Sequence, residues 1–253
     1  MGNVFDGYPN CKGAFRFEAG AFADDELGVI TLGGSDPPTI DSSTYIEGAA
    51  SAFFDYTDYG EFVLADATAP ADFPLKESSG ETTFSVTLWV RMTDHVDHTY
   101  ELFAKGGIGA QCEIGLFVTS YAGWGLGVRV NAEFFQQIGI ELVADRWYHI
   151  GFTYNGADDV MTMRVWDDTA QAIHGTWTDT ATAPPGDSSV DWNIGGDSSD
   201  ANYYIDEVAF FNDVLTGDEI DEIRAGTLGQ GGGGATGQAA LDAYTAMNLG
   251  CPF

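Results

Sequence analysis

Hydrolysis of a glycosidic bond would need two carboxyl groups roughly 5–10 Å apart on one face, one as acid and one as base or nucleophile. The densest acid string here is DEIDEI, from Asp218 to Ile223. Its surroundings read as a helix, where acids serve as a cap and a solvent face. A lyase would instead gather Arg, His, Gln and Tyr. Gln111, Arg129, His149 and Tyr154 are present but form no motif. His149 sits in WYHIGF with the parity opposite to the apolar residues, so it is expected to be exposed. His95 and His98 lie at i, i+3 in a turn, and His174 lies in a polar stretch; none has metal-ligand spacing. No nucleophile elbow, phosphate loop or dinucleotide fingerprint occurs. No catalytic residue is assigned, and the chain is expected not to be an enzyme. SYAGWG is different: Tyr121 and Trp124 stand among small residues, as a shallow sugar-stacking surface can. Core packing, which takes most aromatics in a β protein, remains the alternative.

Charge narrows the partners. Thirty-nine acidic residues face 9 basic ones, for a net charge of −30. Such a surface repels nucleic acid and anionic membranes. The acids are spread over loops such as DDELG, DYTDYG and GGDSSD rather than gathered in a tail. Two causes stay open: a high-salt habitat, or divalent cations held in Asp-rich loops. No apolar run approaches the ~20 residues that span a bilayer, so membrane insertion is not expected. The first residues lack a basic head followed by an apolar stretch. The protein is expected to be made in the cytoplasm and to reach a virion or an extracellular surface by lysis, non-Sec export or assembly into a particle. Cys11, Cys112 and Cys251 give no disulfide framework and no zinc spacing. A staple between Cys11 and Cys251 and two free thiols are both open; Cys112, in CEIGLFV, reads as core.

Short alternating segments must position all of this. Phe84, Val86, Leu88 and Val90 share one face of a strand; Tyr148, Ile150, Phe152 and Tyr154 share one face of another. About a dozen such strands, separated by turn residues, predict an all-β sandwich of two antiparallel sheets. LTGDEIDEIRAG predicts one short helix: Thr216 and Glu219 form a capping box, Leu215 and Ile220 a staple, and Gly226 the stop. LGQGGGG then reads as a linker to a second helical stretch with Ala240, Leu241, Tyr244 and Met247 on a stripe. The predicted division is a domain over 1–228 and a tail over 229–253.

The ordered set GAFRFEAG, TTFSVTLWVRM, DRWYHIGFTYNG and YIDEVAFFNDVLTGDEIDEIRAGT resembles laminin-G-like modules of the concanavalin A-like lectin/glucanase superfamily, over residues 11–228. The resemblance implies a jelly-roll sandwich. It implies a structural Ca²⁺ between first and last strands, with Glu18 and Asp206 as ligands and Asp24, Asp25 or Gly48 supplying others. It implies glycan binding by aromatics and loop polar groups, for which Tyr121, Trp124, Arg129, Tyr203 and Tyr204 are the candidates. The alternating acid pattern of the family's glycosidases is missing. Stretches such as ADFPLKES and RVWDDTAQAI are similar to stand-alone modules of tailed phages. On that likeness the expected role is a virion component (capsid decoration, turret or tail-associated) that contacts other virion or surface proteins and host glycans. A free lectin is the alternative, and self-association is a further expectation.

Overall fold

Strand alternation builds the core directly. The computed structural model describes residues 5, 8–55, 60–93, 99–106, 112–119, 125–131, 133–196 and 202–228. The predicted tail, Cys251, Tyr121, Trp124, Gln111, His95 and His98 lie outside them. One antiparallel sheet contains β1 (Cys11–Phe15), β2 (Thr39–Asp41), β3 (Ser51–Phe54), β5 (Phe84–Met92), β10 (Trp147–Asn155), β11 (Val160–Asp167), β12 (Ala172–Thr180) and β14 (Tyr203–Phe211). Its order is β12-β11-β10-β5-β14-β3-β2, with β1 also paired to β14. The other sheet contains β4 (Glu61–Leu64), β6 (Thr99–Lys105), β7 (Ile114–Thr119), β8 (Gly125–Val130), β9 (Glu133–Glu141) and β13 (Trp192–Gly195), in the order β4-β13-β6-β7-β8-β9. This is the expected two-sheet, nearly all-β sandwich. Phe84, Val86, Leu88 and Val90 of β5 face inward with Tyr148, Ile150, Phe152 and Tyr154 of β10, and all are buried. Against them, from β6, β7, β8 and β13, come Leu102, Phe103, Leu116, Val128 and Trp192.

β14 departs from simple alternation. Tyr203 and Ile205 face the core, and so do Val208 and Phe210. Two residues, Asp206 and Glu207, separate the two halves where one would be expected. The extra one is a bulge: Asp206 pairs with Trp89 but Ala209 with Thr87. Glu207, at φ 51°, absorbs the turn. Below the bulge the far edge of β14 pairs with β3, at Tyr203–Ile205; above it the same edge pairs with β1, at Val208–Phe211.

The α-helix of the described residues, α1 (Gly217–Arg224), lies on the outer face of the eight-stranded sheet. It forms as the sequence predicts. Thr216 Oγ1 accepts from Glu219 N–H, and the Glu219 side chain accepts from the Thr216 N–H. Leu215 and Ile220 are both buried in the small apolar cluster that also holds Phe211. Gly226, at φ 65°, follows the helix end. The helix sits close because β10 carries glycine beneath it: a Cβ on Gly151 would come within 2.5 Å of Ile220. Arg164 of β11 reaches up to Asp221 at 3.0 and 2.5 Å, and Arg224 lies 3.8 Å over the Trp166 ring.

The helix corrects one expectation. His149 does point away from the core, as parity requires, but it is buried at 2% exposure. The outward face is itself covered here. His149 packs on Trp89 at 5.0 Å and is near Asp221 and Arg224 of α1. Burial, then the Arg224 charge, push its pKa down to about 3. An unfolded histidine titrates near 6.5. Between those values the unfolded chain binds the proton and the native one does not. His149 therefore costs the protein nothing above about pH 6.5 and destabilises it as pH falls from there toward 3. Compared with His149→Phe, the natural chain should lose up to about 1.4 kcal/mol per pH unit in that window. Urea melts at pH 7 and pH 5 on both chains measure it; parallel losses would contradict it.

Candidate functional site

Above α1 the outer face of the large sheet is layered by register. Ala209, Thr87, Gly151 and Arg164 form one cross-strand row; Asp206, Trp89, His149 and Trp166 form the next. Both underlie the helix residues just described. The third row is Phe53, Tyr204, Arg91 and Trp147, one each from β3, β14, β5 and β10. All four are half-buried rather than sealed. Phe53 and Tyr204 have ring centroids 4.9 Å apart, and Trp147 lies 6.3 Å from Tyr204. The Arg91 guanidinium stands 5.5 Å from the Tyr204 centroid. Four adjacent strands at ~4.8 Å spacing make a strip about 14 Å long. Such a strip offers flat π faces, one fork of N–H donors, and carboxylates at its margin.

Those carboxylates are Asp145 and Asp41. Arg91 Nη2 donates to Asp145 Oδ1 at 2.9 Å. Against a desolvation that would push it up, hydrogen bonds from Ser43 and Thr44 and the Arg91 charge hold the Asp41 carboxyl below its usual range. The strip can therefore stack a ring and hydrogen-bond its substituents through Arg91 and Asp145.

Tyr204 is the one sequence-predicted ligand residue in this row. Tyr203, its neighbour, faces inward: its hydroxyl donates to the Glu101 carbonyl and accepts from Gly196 N–H, both at 3.1 Å. Arg129 is on the other sheet, on the outer face of β8. It shares a neighbourhood with Glu101, Glu113 and Cys112. Cys112 is buried as expected, but in a small cluster with Ala104 and Phe117 rather than in the main core. Burial, then Glu101, push its thiol up to about 12, which leaves it unreactive at neutral pH. Phe53, Arg91 and Trp147 were not singled out from the sequence. They lie in different strands, and only pairing register brings them into one line.

Of the predicted calcium residues, Glu18, Asp206 and Gly48 come together around the loop 46–49 beside the bulge. Asp206 is fully buried, and its carboxylate accepts from Ile46 N–H at 3.1 Å and Glu207 N–H at 3.0 Å. Glu18 accepts from Ala49 N–H, at 2.9 and 3.2 Å. Gly48 is pressed against it; a Cβ there would come within 1.4 Å of Glu18 Oε1. Both acids thus clamp the loop 46–49. Asp25 is used elsewhere, accepting from Ala14 N–H at 2.7 Å and Val29 N–H at 3.3 Å, and Asp24 accepts from Thr31 Oγ1 at 2.9 Å. The residue absent from the sequence reading is Glu207. Arg16 Nε donates to its Oε2 at 3.3 Å, while its buried Oε1 has no hydrogen-bond partner. Burial, then the Glu207 charge, push Asp206 up to about 8; burial also pushes Glu207 up to about 8, with Arg16 opposing. Both acids are thus mostly protonated at neutral pH, and a cation would have to displace those protons to use the one spare oxygen. Most of the corner's other oxygens already face amide N–H groups, and among the described residues no three acidic, histidine or cysteine side chains converge as a metal group.

Two acids of DEIDEI fill structural positions: Glu219 caps α1 and Asp221 pairs with Arg164.

Comparison places this architecture among known ones. The chain is similar to Trypanosoma rangeli sialidase in complex with sialic acid, at 16% identity and a TM-score of 0.56, covering 87% of this chain and 33% of that one. It is similar to the binding domain of botulinum neurotoxin DC in complex with SialylT, at 12% identity and TM-score 0.57, covering 89% and 52%. The binding domain of Paraclostridial mosquitocidal protein 1 matches at 10% identity and TM-score 0.57, covering 87% and 52%. The chain thus spans from a third to about half of those structures, and the likeness is one of fold. No curated protein sequence matches it. A laminin G-type family model matches residues 65–221, more than half of the chain. The chain belongs to the concanavalin A-like lectin/glucanases superfamily.

Proposed function

We propose that this protein is a non-catalytic carbohydrate-binding module that takes sugar rings on the row Phe53–Tyr204–Arg91–Trp147. That row carries the reading. Half-buried aromatics in one line, with a guanidinium and two carboxylates beside them, match the two faces of a sugar: apolar C–H on one, hydroxyls around the rim. Similar folds in complex with sialic acid and with SialylT support the reading at the level of fold.

A structural Ca²⁺ is part of the proposal. Asp206 and the spare Glu207 oxygen would bind it, with Glu18 holding the loop 46–49 beside it. The ion would neutralise buried carboxylate charge and tie the loop 46–49 to β14. The spare Glu207 oxygen supports it. Melting in millimolar CaCl₂ should exceed melting in EDTA by several degrees; identical curves would remove the ion.

A second reading, as a component of a virion or other surface assembly, has one observation in its favour. β12 closes one end of the large sheet, is mostly exposed, and carries no Lys, Arg or Pro to blunt its edge. Such an edge suits strand addition by another protein or a second copy. The two readings are compatible, since an assembled lectin gains avidity.

Binding to an oligosaccharide panel tests the main proposal. Tyr204→Ala and Trp147→Ala should each weaken binding about tenfold, the equivalent of one stacked ring, with melting temperature little changed. Undiminished binding by both variants would move the site elsewhere.

A further inference from the structure

The charges beside the row bear on which sugars it accepts, an inference that rests on the carbohydrate reading above. Arg91 is the cation of the row, and it is not free. Its Nη2 donates to Asp145 Oδ1 at 2.9 Å, its guanidinium stands over Tyr204, and Asp41 feels its charge. By register a third carboxylate, Asp168, follows at the Trp147 end, where its N–H donates to the Trp147 carbonyl at 3.1 Å. Asp145 thus pairs with the guanidinium, Asp41 lies within reach of its charge, and Asp168 stands further along the row beside Trp147. The whole chain carries −30. A sugar bearing a carboxylate would meet a negative potential and would have to compete with Asp145 for the one cation. A neutral sugar meets no such cost. Its hydroxyls can donate to Asp145 and Asp41 and accept from Arg91, while its C–H face lies on Tyr204 and Trp147.

We propose that the row selects neutral, polyhydroxylated oligosaccharides over acidic ones, and that Asp145 is the specificity-determining residue. Asp145 is well placed for this. Its side chain is 65% exposed, against 22% for Arg91, so a ligand reaches the carboxylate before the guanidinium. Its backbone is fixed at φ 62°, and its N–H donates to the Met92 carbonyl at 2.7 Å, which anchors it at the end of β5. Specificity here comes from a repulsive group beside an attractive one.

Asp145→Asn tests the assignment. Asparagine tolerates the positive φ, so the turn should survive. The variant removes one negative charge and releases Arg91. The probes are lactose and 3′-sialyllactose, which differ by one acidic sugar, titrated at 0.15 M salt with the full chain. The natural protein should bind lactose at least tenfold more tightly than sialyllactose. Asp145→Asn should narrow that gap severalfold, chiefly by improved binding of sialyllactose, with the melting temperature as a folding control. Preference of the natural protein for sialyllactose, or a gap that Asp145→Asn leaves unchanged, would overturn the proposal while leaving carbohydrate binding intact. Failure of a broad panel of neutral and acidic glycans to bind at all would overturn both.

Discussion

The single-residue bulge in β14 is the constraint on which the rest depends. Each half of that strand must face the core with its apolar residues, Tyr203 and Ile205 on one side of the bulge and Val208 and Phe210 on the other. Without the extra residue, one half would turn Val208 and Phe210 to the outside and Ala209 and Phe211 to the inside. The bulge also hands the edge of β14 from β3 to β1. In the gap sits Asp206, a buried carboxylate that holds the loop between β2 and β3 by its amide groups. Glu207 takes the left-handed conformation and pairs with Arg16, just past β1. One insertion thus organises two strand pairings, a loop and an ion pair.

The same register defines the functional surface. On β14 the outward residues below the bulge are Tyr204 and Asp206. Asp206 falls into line with Trp89 and His149 under the helix end, and Tyr204 into line with Arg91 and Trp147 beyond it. The capped helix decides which of these rows is covered. It docks where Gly151 leaves room and where Arg164 and Trp166 grip it, so the row beyond stays half-open. The proposed sugar platform is therefore what α1 does not cover.

Much of this was legible in the residues. Period-two alternation gave β5 and β10 with the correct inward faces, and the capping box gave α1 because its signals are local. β14 was found as a strand, but its bulge was not: YYIDEVAFF has aromatic or aliphatic residues on both parities, so alternation alone leaves the break unmarked. β12 has few apolar residues because it is an exposed edge, and β2 and β4 are only 3 and 4 residues long. His149 shows the limit of parity reasoning. Parity tells which way a side chain points, but not whether another element lies over it. The candidate site was legible at Tyr204 alone, because a cross-strand row is a property of pairing and has no sequence period. Glu207 escaped for the same reason: its role follows from backbone conformation and burial, which its neighbours in the sequence do not signal.

If the bulge is the organising feature, the length of β14 must matter more than the chemistry of residue 207. The direct measurement is the thermal unfolding of two variants, Glu207→Gly and a deletion of Glu207. Glycine accepts the positive φ and keeps the register, so that chain should melt cooperatively, at a temperature reduced only by loss of the Arg16 pair. The deletion reverses the facing of Val208 to Phe211 and should leave no cooperative transition. A deletion variant that melts as cooperatively and as high as Glu207→Gly would contradict the account.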